Sequence, residues 1–210
     1  MDALKTIEKI ASNIAPGPGL TFTEVHVFKA LELMAEQGAI GRSKLSSELG
    51  IGEGAARTLI KHLKKGRLVE VSKAGCQLTS YGKRIFSPLK GMVLGAVEVS
   101  SSPVTVGNCN LAIRVEGAAG GLKYGLEQRD AAIKAGALGA TTLLFSKNRF
   151  AMPRSEEDCF KDSPEISKLL ESELKPREGD LIIIGSANDR KLAELGAKAA
   201  LLETLKITQR

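Results

Sequence analysis

Glycines at positions 38, 50, 52 and 66 set the tightest limit on what this chain can fold into. Glycine enters left-handed backbone at no steric cost and loses the most entropy inside a helix, so it ends helices readily. The stretches between these glycines carry apolar residues at helical spacing. Thr23 offers an N-cap oxygen ahead of Val27, Phe28, Leu31 and Met34, and Gly38 closes that helix. Ser43 is expected to cap a second, short helix, Lys44 to Leu49, stopped by Gly50-Ile51-Gly52. A third helix is expected from about Glu53 to Lys65, with Ala56, Leu59, Ile60 and Leu63 on one face and Gly66 as its stop. Leu68–Val71 and Cys76–Leu78 then read as two strands around Ser72-Lys73-Ala74-Gly75. Thr79–Phe86 reads as a closing helix, with Ser87-Pro88 as a boundary.

The flanks divide the rest. Ala15-Pro16-Gly17-Pro18-Gly19 cannot propagate helix, which sets residues 1–19 apart as an N-terminal arm with its own short helix, Leu4 to Ile14. Residues 20–88 are then one domain and 89–210 a second. In the second, Met92–Val99 and Thr105–Val115 read as a Val-rich strand pair, and Gly117–Gly121 as a small-residue loop. A helix is expected from about Lys123 to Ala135, a hairpin from Thr141–Phe145 and Arg149–Met152, and a short helix after Ser163-Pro164. The strand Leu181–Ile184 and a long helix ending near Lys206 complete an α+β domain, its sheet covered mainly on one face.

Charge is distributed unevenly. The whole chain carries 30 Lys and Arg against 24 Asp and Glu, a net +6. Gly38 to Pro88 alone holds 10 basic residues against Glu48, Glu53 and Glu70, a local +7, whereas residues 89–210 hold 17 against 16. A basic excess of that density suits a polyanion. A hydrophobic content of 43% is that of a globular chain, and no apolar run is long enough to span a membrane. Three separated cysteines, Cys76, Cys109 and Cys159, fit a reducing interior and no CxxC metal site; a cytoplasmic location is expected. No nucleophile with a base and no spaced carboxylate pair is present, so neither catalysis nor a cofactor is expected.

The segment Lys44-Leu45-Ser46-Ser47-Glu48-Leu49-Gly50-Ile51-Gly52-Glu53-Gly54-Ala55-Ala56-Arg57-Thr58-Leu59-Ile60-Lys61-His62-Leu63, with Gly66-Arg67-Leu68-Val69 and Leu78-Thr79-Ser80-Tyr81-Gly82, resembles a winged helix-turn-helix of prokaryotic transcriptional regulators. The residues agree with that resemblance. Arg57, Lys61, Lys64 and Lys65 follow the i, i+4, i+7, i+8 rule opposite the apolar face, forming a basic ridge suited to the major groove. Arg57 and Thr58, near the helix start, are placed to meet base edges; Lys61, Lys64 and Lys65 are placed for phosphates. Lys73 would sit at the wing tip, and Ser43 with Lys44 at a helix N-terminus that accepts a phosphate. Small residues at Gly52, Gly54, Ala55 and Ala56 leave base readout thin and shift weight to backbone and shape.

In the second domain, Tyr124-Gly125-Leu126-Glu127-Gln128-Arg129-Asp130 is the densest polar cluster. At about 100° per residue, Arg129 falls inside the stripe of Leu122, Leu126 and Ile133, where its guanidinium needs an anion. That anion is either an internal carboxylate such as Glu116, the reading we favour, or a ligand carboxylate or phosphate. After the apolar strand, Ser186 and Asn188 stand where a strand feeds a helix N-terminus, an anion site in principle; a Ser186/Asp189 capping box is the plainer reading. Tyr124, Glu127, Arg129, Ser186 and Asn188 are therefore the candidate ligand residues.

Gly125 to Ala137 and Gly179-Asp180-Leu181-Ile182-Ile183-Ile184-Gly185-Ser186-Ala187 are similar to an archaeal family of transcriptional regulators, over nearly the whole chain. The resemblance implies a winged helix in front and, behind it, a two-layer α+β domain with a mainly antiparallel sheet, like the GAD insert of some aminoacyl-tRNA synthetases. It brings no ligand. The expectation is a regulator that binds double-stranded DNA as a homodimer, since paired half-sites match a two-fold protein. Its C-terminal domain would sense a small anionic effector or supply the dimer contact. The alternatives are an enzyme of nucleotide or cofactor metabolism with an appended winged helix, and an RNA- or protein-binding adaptor.

Overall fold

The structure is a computed structural model that describes residues 3–12, 20–118, 120, 122 and 124–208. The Pro-Gly run at 15–19 and positions 119, 121 and 123 lie outside the described residues. The chain divides into two units, Met1–Gly91 and Met92–Arg210.

The first unit is helical with a small hairpin: α1 (Ala3–Ala11), α2 (Glu24–Gln37), α3 (Arg42–Leu49), α4 (Glu53–Lys65), β1 (Val69–Ser72), β2 (Gly75–Leu78) and α5 (Ser80–Met92). Helix α1 is no separate arm. Its Leu4, Ile7 and Ile10 are buried and it packs on α2 and α4, because three apolar residues at i, i+3 and i+6 make a stripe worth removing from water. The core beside it joins Phe28 to Phe86 edge-to-face, centroids 5.3 Å apart, with Leu31, Leu45, Leu49, Leu59 and Leu63 fully enclosed. Thr23 is the N-cap of α2 as expected. Gly41, not Ser43, caps α3, and Ser43 lies in its first turn. The closing helix runs on through Pro88, against the boundary expected at Ser87-Pro88. Pro88 is exposed there, so its missing N–H and the ring's crowding are absorbed on the solvent side.

The second unit is a five-stranded sheet in the order β3 (Val93–Glu98), β4 (Cys109–Val115), β7 (Leu181–Ala187), β5 (Gly139–Ser146), β6 (Arg149–Ala151). Every pairing is antiparallel. Strand β4 begins four residues later than expected, since the chain from Thr105 to Asn108 is not extended into the ladder. Helices α6 (Leu126–Lys134) and α8 (Arg190–Thr208) cover one face, α6 starting at Leu126 rather than near 123. Gly185 lets α8 approach: a Cβ there would collide with the Ala193 carbonyl.

The other face is covered too, against the expectation of one-sided cover. Ala112, Leu143, Ile182 and Ile184 pack there against Ile166, Leu170 and Leu174 of α7 (Pro164–Leu174) and against Phe150 and Phe160. All seven residues of β7 are consequently buried, which explains its unbroken apolar run. The loop after Met152 is exposed at Arg154, Glu156 and Glu157 and anchored by Phe160, 1% exposed.

Candidate nucleic-acid interface

The turn between α3 and α4 is built locally. Gly50 takes the left-handed conformation at φ 65°, the Ile51 N–H donates to the Ser46 carbonyl at 3.2 Å, and Ser46 Oγ donates to the Ile51 carbonyl at 2.6 Å. These bonds hold α4 at a set angle to α3 while its Ala56, Leu59 and Leu63 are buried; Ile60 is only half-buried. The opposite side of α4 presents Arg57, Lys61, Lys64 and Lys65 to solvent. Among the described residues none of the four forms an ion pair. A cationic ridge without internal counter-charges keeps its full potential for an external polyanion.

Other sequence-derived positions are more engaged. Thr58 is half-buried and its Oγ1 donates to the Gly54 carbonyl at 3.1 Å, which ties the hydroxyl back to its own helix. Ser43 Oγ donates to Glu53 Oε1 at 2.8 Å, and Arg42 reaches Glu53 Oε2 at 3.4 Å. Glu53 thus stands in front of the N-terminus of α3 and supplies the negative charge that a phosphate would bring. Lys44 Nζ donates to Gln37 Oε1 at 2.6 Å. Lys73 is exposed in the tight turn Lys73-Ala74 between β1 and β2, which gives the hairpin a cationic tip.

Three further cations escaped the sequence reading. Lys5, Lys9 and Arg67 line an open groove of about 1120 Å³ with Lys65, Tyr81 and His62. The signal was the i, i+4 pair Lys5/Lys9 opposite the stripe of α1, hidden by treating residues 1–19 as a separate arm. His62 Nδ1 shares a hydrogen-bond contact with the Ile10 carbonyl, 2.9 Å away, and the ring meets Phe22 edge-on at 5.6 Å.

Three of the C-terminal candidates already have partners. Arg129 is not inside a buried stripe: its side chain is 52% exposed and pairs with Asp130 at 3.0 Å. The inward face of α6 is rotated about 110° from the expected one. Gln128 and Ala132 face inward at 0% exposure, whereas Leu126 and Ile133 stand out at 51% and 49%. Glu116, the expected partner, instead lies 3.6 Å from Arg177. Tyr124 is exposed beneath the Arg154 guanidinium, 4.7 Å from its ring centroid, and Glu127 is exposed.

Ser186 is sealed within β7 and donates to Asn110 Oδ1 at 2.7 Å; Asn110 Nδ2 in turn donates to the Gly107 carbonyl at 3.1 Å. The Ser186/Asp189 capping box does not form, because Ser186 belongs to the strand. Asp189 alone caps α8, its Oδ1 accepting the Leu192 N–H at 3.0 Å. Asn188 is exposed, and its carbonyl accepts from Cys109 Sγ at 3.7 Å. The buried guanidinium of this unit is Arg114, paired with Asp180.

Comparison with known proteins follows the same division. Residues 25–93 match the family described as the CggR N-terminal DNA binding domain, and residues 106–205 match a domain of unknown function, DUF4443. No curated protein matches the chain. Among solved structures, a hypothetical protein from Pyrococcus horikoshii is similar at 28% identity and a TM-score of 0.66, over 89% of this chain and 99% of that one. The helix-turn-helix and its basic ridge thus lie within the part of the chain that is similar to the CggR N-terminal DNA binding domain.

Proposed function

We propose that the protein is a transcriptional regulator that reads double-stranded DNA with α4 in the major groove and the β1–β2 hairpin on the flanking backbone. The supporting observation is the row Arg57, Lys61, Lys64 and Lys65, exposed and without ion pairs among the described residues. In this reading Arg57 meets base edges, Lys61, Lys64 and Lys65 hold phosphates, and Lys73 contacts the backbone or minor groove. Thr58, Ser43 and Lys44 contribute after giving up their present partners.

The C-terminal α+β unit, of the GAD-like kind, joins two copies into a homodimer that matches paired half-sites. Sensing of an anionic effector has less support, because Arg129, Ser186 and Tyr124 each already have a partner. The protein works in the cytoplasm of an archaeal cell and catalyses nothing. Selection of genomic fragments followed by titration against salt tests this. About four phosphate contacts give a slope of log K on log salt close to −4; duplex binding that ignores salt, or survives Arg57→Ala combined with Lys61→Ala, overturns it.

A further inference from the structure

The cationic side of α4 continues past Lys65. With Arg57 at zero and about 100° per residue, Lys61 lies at about 40°, Lys65 at about 80° and His62 at about 140° around the helix. His62 turns toward α1, its Nδ1 2.9 Å from the Ile10 carbonyl. Lys65 therefore stands on the shoulder between the ridge and α1, where it lines the open groove together with Lys5, Lys9 and Arg67. Gly66 lets the two helices come this close: a Cβ there would stand 2.6 Å from Ile10 Cδ1.

All four cations are exposed. Among the described residues none of them forms an ion pair, and no carboxylate lines the groove. Lys5 and Lys9 are one turn apart on α1, about 6 Å along its axis, and each strand of a duplex offers a phosphate for about every 3.4 Å of its length. Arg67 holds left-handed backbone at φ 60°, its N–H donating to the Lys64 carbonyl at 2.9 Å and its carbonyl accepting from Thr79 Oγ1 at 2.7 Å. Glycine takes that conformation without strain; an arginine there is the kind of backbone outlier found where a side chain is used. At about 1120 Å³ the groove exceeds the roughly 300–1000 Å³ that encloses a small ligand, and so suits a stretch of polymer.

We propose that this groove is a second phosphate-binding surface, along which the backbone of the duplex read by α4 continues over Lys65 onto Arg67, Lys9 and Lys5. The proposal rests on the DNA-binding reading above and lengthens its footprint. It raises the phosphate contacts of one copy from about four to about seven, and steepens the slope of log K on log salt from about −4 to about −6.

Fluorescence anisotropy with a non-specific duplex over a salt series, with circular dichroism of the same samples, provides the test. The intact protein should give the steeper slope. Lys5→Ala combined with Lys9→Ala should keep the helical spectrum, reduce the slope by about 2 and weaken binding at least about tenfold. Should that pair unfold, Lys5→Gln with Lys9→Gln carries the same expectation. Lys5→Arg with Lys9→Arg should retain the wild-type slope, because charge rather than packing is at work. Removing the same two charges at Lys134 and Lys168, exposed on the second unit, should leave the slope unchanged. A wild-type slope close to −4, an unchanged slope in the neutral double variants, or an equal fall in the Lys134 and Lys168 control overturns the groove as a DNA surface while the α4 reading stands. A fall shared by the double arginine variant assigns the effect to packing and overturns it as well. Duplex binding that ignores salt overturns both the groove and α4.

Discussion

Arg114 Nε donates to Asp180 Oδ2 at 2.7 Å, with side chains only 7% and 3% exposed. The carboxylate also accepts the Arg177 N–H at 2.8 Å and the Gly117 N–H at 3.0 Å, while Arg114 Nη1 donates to the Leu174 carbonyl at 3.1 Å. One buried pair therefore ties β4, the end of α7 and the entrance to β7. Burial by itself raises the Asp180 carboxyl; the two N–H groups and the guanidinium more than reverse this, leaving it below the usual carboxylate range.

Removing one partner leaves the other charge stranded. Arg114→Met is expected to cost about 3–5 kcal/mol in urea unfolding, far more than loss of the exposed Arg177–Glu116 contact. The folded-state pKa of Asp180 is depressed, so its contribution is complete above the unfolded value of about 3.9 and disappears as pH falls through the folded one. Melting temperature measured from about pH 6 down to 2 should fall in the wild type through this window and show a smaller loss in Asp180→Asn.

Lys61→Ala and Arg57→Ala should separate two kinds of DNA contact. The lysine variant is expected to weaken binding to all duplexes alike and to lower the salt slope by about 1. The arginine variant should relax sequence preference at one position by about 1–3 kcal/mol. Fluorescence anisotropy over a series of salt concentrations and site variants distinguishes them; identical profiles for the two would contradict the assigned roles.

Glu53 occupies Ser43 and Arg42 from the first turn of α4. Glu53→Gln removes a negative charge from beside the α3 N-terminus and frees both side chains for phosphate. Affinity for non-specific duplex should rise several-fold, roughly 1 kcal/mol, with a steeper salt slope. Unchanged affinity would mean that this end of α3 stays away from the backbone.

His26 accepts the Thr23 N–H at Nδ1, 3.1 Å away, closing the cap of α2. Its pKa is lowered, first by burial and then by the nearby Lys29. The folded state therefore binds its proton less readily than the unfolded chain. Stability is full above about pH 6.5 and declines as pH falls below it. Thermal melts between about pH 8 and 5 should show that decline in the wild type and lose much of it in His26→Gln, whose side chain still accepts the N–H.

The first unit is legible in sequence because its information is local. Gly38 and Gly50 end helices at positive φ, through backbone preferences that do not depend on the rest of the chain, and the charge on α4 follows from helical period alone. Errors enter where distant partners intervene. Leu4, Ile7 and Ile10 are an arm until α2 and α4 offer them a surface, and Pro88 marks a boundary until solvent accommodates its ring within α5.

In the second unit the apolar run Leu181–Ile184 is recognisable as a strand, but period 2 cannot say whether one face or two are covered. Arg114 and Arg129 show the same division. In sequence Arg114 interrupts an apolar strand, and Arg129 falls on the apolar stripe of an expected helix. Which one is buried depends on Asp180, 66 positions from Arg114, and on the rotation of α6 about its own axis. Sequence by itself determined the elements, their order and the cationic helix, since these rest on local backbone preference and periodicity. Only the tertiary structure decided which faces meet, which arginine is sealed with its carboxylate, and which apolar stripe is left turned to solvent, because burial is set by surfaces far apart in the chain.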